Sequence, residues 1–243
     1  MTENTDLSHP HRHTVTVGGV EYQTSEGGVH RHAYGPAPRP ASPYVDRVGS
    51  TLTLDGKPWQ FTGLNYYSAL RDGNLPGSLT AMGRGVKALR FWCFQSYLVS
   101  GGAPNWAPLD ALLAACRAAG VRVIPTLANQ WSYGDGVAKD LAWFQDGYKS
   151  AIQSGEVVPY REFAGEVTAR YADDPTIALW QLINEGQAVN DDGTCNESTA
   201  LAAMQAFAAD MGRMIKAGDP NHLLSLGNVA GFSGTGLQFC GSA

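Results

Sequence analysis

One acidic side chain stands out because of its position after an apolar segment. Glu185 and Asn184 directly follow the apolar run Ile177–Ile183. A carboxylate at the end of a buried strand can act as a general acid or base when it lies within hydrogen-bonding reach of a substrate. A surface glutamate that caps the next helix is the alternative, and position alone leaves both interpretations open.

Aromatic and amide side chains follow the other apolar segments in the same way. They are Asn65 and Tyr66 after the first segment, Arg90 and Trp92 in the second, and Asn129 and Trp131 after the third. Sugar rings stack their C–H faces on aromatic rings, and their hydroxyls need hydrogen-bond partners such as amides. The pattern therefore indicates a carbohydrate site, although each aromatic ring could also pack beneath a loop.

These side chains must be positioned by short strands that alternate with helices. The sequence predicts strands over Gln60–Tyr66, Lys87–Phe94, Arg122–Ala128, Ile177–Ile183 and Leu223–Gly227. Nearly continuous apolar strands indicate burial on both faces, as in parallel sheets. Helical stripes separate them, with apolar residues spaced three and four apart from Leu109, from Tyr160 and from Leu201. The chain is therefore predicted to have an α/β fold.

Two α/β architectures fit this alternation, an eight-stranded (β/α)8 TIM barrel and an open doubly wound sheet. Neither a Gly-x-Gly-x-x-Gly turn nor a Gly-x-x-x-x-Gly-Lys-Ser/Thr loop follows a predicted strand. Nucleotide binding therefore has no motif to support it, and the barrel is favoured. In such a barrel the functional groups collect at the carboxyl ends of the strands.

Composition excludes several classes of function. The 243 residues carry a formal net charge of -5 and no cluster of Lys and Arg, which argues against a nucleic-acid partner. No apolar stretch reaches the roughly 18–20 residues of a membrane span. Five of the six histidines lie within residues 9–32, and only His222 lies in the body of the chain. A Ser-His-Asp hydrolase or a zinc enzyme is therefore not expected, and we predict no metal and no cofactor.

The amino-terminal part differs in composition from the rest. Residues 1–44 form a polar tail rich in His and Pro, with a predicted small hairpin around Gly18 and Gly19 and an extended linker over residues 35–43. Residues 45–243 are predicted to form the barrel domain. The histidines of the tail could bind a metal loosely, but a simple polar tail is the favoured interpretation.

Four segments in order resemble glycoside hydrolase family 5, especially its cellulase and endo-β-mannanase members. They are Asp55-Gly56-Lys57-Pro58, Gly63-Leu64-Asn65-Tyr66, Leu89-Arg90-Phe91-Trp92, and the longer segment that runs from Asp174-Pro175 through Trp180 to Asn184-Glu185. The last segment is fairly specific, and the resemblance extends from about Gly49 to Gly227. It implies a TIM barrel that hydrolyses β-1,4-linked mannan or cellulose, and the sequence leaves the choice between these two polysaccharides open.

The resemblance also implies roles for individual residues. Glu185 would be the general acid and base, and Asn184 would hydrogen-bond the sugar 2-hydroxyl. Arg90 would support the nucleophilic carboxylate, unless it simply pairs with an acidic neighbour in the core. The implied substrate contacts are Asn65, Tyr66, Trp92, Asn129 and Trp131.

One part of the family pattern is not found. A retaining glycosidase uses a second carboxylate as nucleophile, which in this family ends strand seven, and no such residue follows a predicted strand before Ala243. The sequence therefore predicts about five of eight β/α units and a chain that is inactive alone. A non-catalytic carbohydrate-binding remnant is the alternative.

Cysteine placement bears on the compartment. Cys195 and Cys240 follow strands four and five, which are neighbours at one rim of a barrel, so a disulfide between them is plausible. Such a bond would fit the extracellular location that the family implies, although no signal peptide is visible after Met1. The oligomeric state is left open.

Overall fold

The computed structural model describes residues 13–17, 20–25, 28–30, 42–73, 75–83, 85–134, 137–228 and 239–240. The strands are β1 His13–Val17, β2 Val20–Ser25, β3 Gly28–His30, β4 Val45–Val48, β5 Thr51–Leu54, β6 Lys57–Pro58, β7 Thr62–Asn65, β8 Val86–Trp92, β9 Val99–Ser100, β10 Ala103–Pro104, β11 Arg122–Thr126, β12 Leu179–Gln181 and β13 Leu223–Ser225. The α-helices are α1 Leu75–Met82, α2 Ala107–Ala119, α3 Tyr148–Ser150, α4 Tyr160–Arg170 and α5 Glu197–Gly218.

A five-stranded parallel sheet positions the predicted site. Its strand order is β13-β12-β11-β8-β7, so each strand lies beside the next one along the chain in this sheet. The pairing is in register over the middle of the sheet, where Arg122 lies opposite Ala88 and Thr126 opposite Trp92. Each of the five predicted strands is present, and the described residues form a partial (β/α) barrel of the predicted class.

Helices α2, α4 and α5 pack apolar residues of the predicted stripes into the hydrophobic core. In α2 the stripe consists of Leu109, Leu112, Leu113 and Cys116, all buried. The helix ends at Gly120, which has φ +67, a conformation that glycine adopts without steric cost. The chain then enters β11 two residues later, at Arg122.

Two small antiparallel sheets precede the parallel one. In the first, β1 pairs with β2 so that Val17 lies opposite Val20, which confirms the hairpin predicted around Gly18 and Gly19. Strand β3 extends this sheet and was not predicted. In the second, β4, β5 and β6 form a meander whose tight turn at Asp55 and Gly56 matches the Asp-Gly-Lys-Pro segment.

A disulfide joins Cys195 to Cys240, as the sequence predicted, with 5.7 Å between the two Cα atoms. The other two cysteines, Cys93 and Cys116, are buried free thiols. Within the described ranges, no helix combines the length and apolarity that crossing a membrane requires.

The two kinds of cysteine should differ in reactivity. Burial raises the pKa of Cys116 to about 12 and raises that of Cys93 further, so neither forms the thiolate that alkylating reagents attack. We expect iodoacetamide to label no cysteine in the native protein, two after denaturation and four after denaturation with reductant. Mass spectrometry of the peptides would count the labels, and free thiols at Cys195 and Cys240 in protein from an oxidising host would contradict the assignment.

A buried polar network lies where α5 leads into β13. The Asp219 carboxylate accepts hydrogen bonds from Trp180 Nε1 at 2.7 Å and from the backbone N–H of His222 at 3.0 Å. His222 Nδ1 lies 2.7 Å from the same carboxylate, and its Nε2 lies 3.0 Å from the Asp174 carbonyl oxygen. The one histidine in the body of the chain is therefore fully enclosed in a structural network.

Candidate active site

Arg90 in β8 is the centre of the polar groups at the carboxyl ends of the strands. Its Nε donates to Gln181 Oε1, its Nη1 to Asn65 Oδ1 and its Nη2 to Asn184 Oδ1, each at 2.8 Å. The planar guanidinium thus holds three amide side chains, one from β7 and two from β12 and the residues that follow it, in one arrangement. Burial lowers the pKa of Arg90 and the charge of Glu185 raises it, and Arg90 remains a cation.

Asn184 continues this network across the sheet. Its side chain is buried, accepts from Arg90 and donates through Nδ2 to Asn129 Oδ1 at 2.9 Å. Asn129 in turn donates to the carbonyl oxygens of Trp131, at 3.3 Å, and of Tyr133, at 2.5 Å. A continuous chain of hydrogen bonds therefore fixes the loop after β11 relative to Arg90.

Glu185 leaves the sheet in an unusual backbone conformation. Its φ is +55, in the left-handed region that costs a non-glycine residue free energy, and it shares this feature only with Asp55 among the described non-glycine residues. The next residue, Gly186, packs so closely that a Cβ there would lie 2.7 Å from Ile183 Cγ2. The tight bend turns the Glu185 side chain into an exposed position, while Asn184 and Gly186 on either side are buried.

Trp131 holds the Glu185 carboxylate. Its indole Nε1 donates to Glu185 Oε2 at 2.6 Å, and the indole itself is 38% exposed. Tyr133 lies nearby. Its own burial, and secondly the negative charge of Glu185, raise the pKa of its phenol. An exposed carboxylate that is held by one donor and flanked by aromatic rings can exchange a proton with a bound sugar.

An aromatic group adjoins this carboxylate. Trp92 is nearly buried, and its ring centroid lies 4.6 Å from Tyr67, 5.2 Å from Phe94 and 5.7 Å from Tyr133. Tyr67 and Tyr133 are 48% and 53% exposed, so they form the outer surface of the group. Trp92 is thus a support for exposed rings, and its Nε1 has no hydrogen-bond partner among the described residues.

Two predicted substrate contacts, Tyr66 and Asn129, have their side chains engaged within the protein instead. Tyr66 packs against the hydrophobic core, and its hydroxyl accepts from Ser78 of α1 at 3.3 Å, because alternate residues after β7 point in opposite directions. Its neighbour Tyr67 joins the aromatic group. Asn129 has 0% exposure, so it positions the loop and does not offer its amide to a ligand. Asn65, by contrast, is exposed beside Arg90.

Sequence reasoning missed three residues of the site, Gln181, Tyr67 and Tyr133. Gln181 is a polar residue inside an otherwise apolar predicted strand, and this polarity was the available signal that it has a role in the site. It accepts hydrogen bonds from both Arg90 and Thr126. Tyr133 lies in the loop that Asn129 holds by its hydrogen bonds. No local sequence pattern predicts the path of this loop. Within the described residues, no group of three or more His, Cys, Asp or Glu side chains is arranged to hold a metal ion.

The network around Arg90 gives a direct prediction. In a catalytically active form of the protein, Arg90→Lys should lower kcat/KM by about 10²-fold, because an ammonium cannot hold three amides in the planar arrangement and Asn184 would shift. Arg213→Lys on the exposed surface of α5 is the matched control and should leave kcat/KM unchanged. Initial rates and thermal melts of both variants provide the comparison, and unchanged kinetics in Arg90→Lys would contradict the positioning role.

No family model matches the chain. Among curated proteins it is 28% identical over 232 residues to the probable mannan endo-1,4-β-mannosidase C of Aspergillus terreus, covering 78% of this chain and 56% of that protein. The chain spans about half the length of the curated relatives it matches.

Solved structures share the fold. The endo-1,4-β-mannanase of Rhizomucor miehei superposes with a TM-score of 0.60 at 21% identity, covering 82% of this chain and 63% of that one. A glycoside hydrolase family 5 enzyme from Prevotella bryantii superposes with a TM-score of 0.51 at 14% identity, covering 68% and 53%. The chain therefore resembles mannan endo-1,4-β-mannosidases in sequence, and a solved mannanase and a family 5 glycoside hydrolase in fold, which confirms the predicted resemblance.

Proposed function

We propose that the site around Glu185 is the acid/base part of a retaining glycoside hydrolase that cleaves β-1,4-linked mannan. The observation that carries the proposal is the exposed Glu185 carboxylate, held by Trp131 and set on a backbone that the Arg90 network fixes. Mannan is favoured over cellulose because the curated relatives are named as mannan endo-1,4-β-mannosidases.

The chemistry assigned to Glu185 has two steps. Its carboxylic acid first protonates the glycosidic oxygen as the leaving group departs, and its carboxylate then takes a proton from the water that releases the product. A retaining enzyme also needs a nucleophilic carboxylate about 5–5.5 Å from the acid/base group. None of the described carboxylates is assigned this role, and the proposal places it outside the described residues.

Asn184 and the aromatic group supply the binding contacts. Asn184 Oδ1 accepts from Arg90 and has a second lone pair, which a sugar 2-hydroxyl could use. Trp131, Tyr67 and Tyr133 expose ring faces beside Glu185, which suit the C–H faces of sugar rings. Asn65, exposed beside the Arg90 guanidinium, adds a further amide at the same rim.

The compartment and the domain organisation belong to the same proposal. A disulfide between Cys195 and Cys240 is typical of proteins in oxidising compartments, which supports an extracellular location. The barrel domain is proposed to begin at Val45, where β4 starts, with residues 1–44 as an appended segment.

The test compares polysaccharides directly. The protein is incubated with β-1,4-mannan and with carboxymethyl-cellulose, and the released reducing ends are measured together with the binding of mannohexaose by calorimetry. Faster release from mannan supports the proposal. Binding of mannohexaose without turnover by the full-length protein would favour the carbohydrate-binding alternative, and the absence of both binding and turnover would refute the glycan site altogether.

A further inference from the structure

A pocket lies at the end of the sheet opposite Glu185. It has a volume of about 320 Å³ and lies between the β4–β6 meander and the amino ends of β8 and β11. This basic pocket is lined chiefly by Leu54, Trp59, Lys87, Arg117, Arg122 and Pro175. Its volume lies at the lower end of the range for small-molecule sites, roughly 300–1,000 Å³.

The charged residues that line the pocket are all cations, and the Asp55 and Asp174 carboxylates lie close to them. Three cations line it and no carboxylate does, although the formal net charge of the chain is -5. Arg117 is already occupied, because its Nη2 pairs with Asp174 at 2.5 Å and its Nε donates to Thr176 at 3.2 Å. Lys87 and Arg122 remain, and the sheet register places them at the starts of two adjacent strands.

Arg122 is a partly buried cation that makes no side-chain hydrogen bond within the described ranges, although Asp55 and Asp174 lie close enough to act on its charge. Burial lowers its pKa, while the charges of Asp55 and Asp174 raise it. A partly desolvated guanidinium gains more from an incoming anion than a fully hydrated one does, because less water must be displaced.

An aromatic wall completes the pocket. Trp59 is half-buried, and Phe61 stacks on it with ring centroids 4.4 Å apart and an interplanar angle of 29°. Its backbone N–H donates to Leu52 of the meander at 2.8 Å. The stacking of Phe61 and this backbone hydrogen bond therefore hold Trp59 beside the cations.

We propose that the basic pocket binds a hexuronate, with the sugar ring stacked on Trp59 and the carboxylate bound by Arg122 and Lys87. A bare inorganic anion would leave the indole and most of the volume unused. A neutral sugar would leave both cations unpaired. This site is separate from the Glu185 site and does not rest on the function proposed for it.

Titration by nuclear magnetic resonance tests the proposal on the complete chain. The reporter is the Trp59 indole N–H signal, assigned by its loss in Trp59→Phe, and the probes are galacturonate, its neutral methyl ester and inorganic phosphate. We expect galacturonate to shift this signal saturably and the ester to bind at least about tenfold more weakly, because a charge-assisted contact is lost. Phosphate should leave the indole signal in place.

Variants separate the pocket from general electrostatics. Arg122→Gln should weaken galacturonate binding by about tenfold, whereas Arg213→Gln, at an exposed arginine of α5, should not change it. Arg122→Lys keeps the charge and should bind with intermediate affinity, and amide signals far from the pocket report whether each variant is folded. Equal binding of acid and ester, an equal response to phosphate, unaltered binding in Arg122→Gln, or no shift with galacturonate would each overturn the proposal.

Discussion

Replacing Glu185 with glutamine is expected to lower the rate of mannan hydrolysis by about 10²–10⁴-fold, because glutamine keeps the shape of the side chain but cannot donate the proton. The experiment requires a form of the protein that turns over mannan. Trp131 Nε1 can still donate to the amide oxygen of glutamine, so the loop and the bend at Glu185 should persist. The loss should therefore lie in chemistry and not in folding.

The leaving group distinguishes this role from a purely structural one. An aryl mannoside with an acidic phenol departs with little protonation, so the first chemical step should lose much less with Glu185→Gln than it does with mannan. Burst kinetics with the aryl substrate separate the first step from the second. Glu166→Gln, at an exposed glutamate of α4, serves as a control and should retain full activity. Equal losses on both substrates would contradict the acid/base role of Glu185.

The strands and helices were predictable because burial fixes their patterns. Each apolar run that predicted a strand is paired in the parallel sheet, since a strand covered on both faces must be apolar throughout. The predicted boundaries were too long by one or two residues at most ends, as for Ile177–Ile183 against β12 at Leu179–Gln181. Strand ends are set by hydrogen bonding to neighbours, which local sequence does not report.

The site was predictable only where it follows directly from the strands. Asn184, Glu185 and Arg90 lie at or beside strand ends, and the structure brings them together. Tyr66 and Tyr67 differ by one position, and which of them faces the site depends on a register that the sequence does not fix. Asn129 is polar yet fully buried, because the loop it stabilises folds back over it.

Removing the Asp219 carboxylate should have the largest effect on stability. Asp219→Ala would leave the Trp180 indole N–H and the buried His222 side chain without their acceptor, and a broken buried polar pair costs about 3–5 kcal/mol in the free energy of unfolding. Asp219→Asn keeps one acceptor oxygen and should lose less. Asp146→Ala removes an exposed carboxylate that pairs with Lys149, so its cost should stay within about 1 kcal/mol.

Acid should weaken the same network in the unmodified protein. Burial raises the pKa of Asp219, but the hydrogen bonds from His222 and Trp180 together outweigh burial and hold this pKa below its usual value. A depressed pKa contributes stability that is complete above the unfolded-state value of about 3.9 and is lost as the pH falls through the folded-state value. Urea unfolding at a series of pH values should therefore show the unmodified protein losing its advantage over Asp219→Asn below about pH 4. A difference between the two proteins that stays constant down to the lowest pH would show that the ionised carboxylate does not stabilise the junction of α5 and β13.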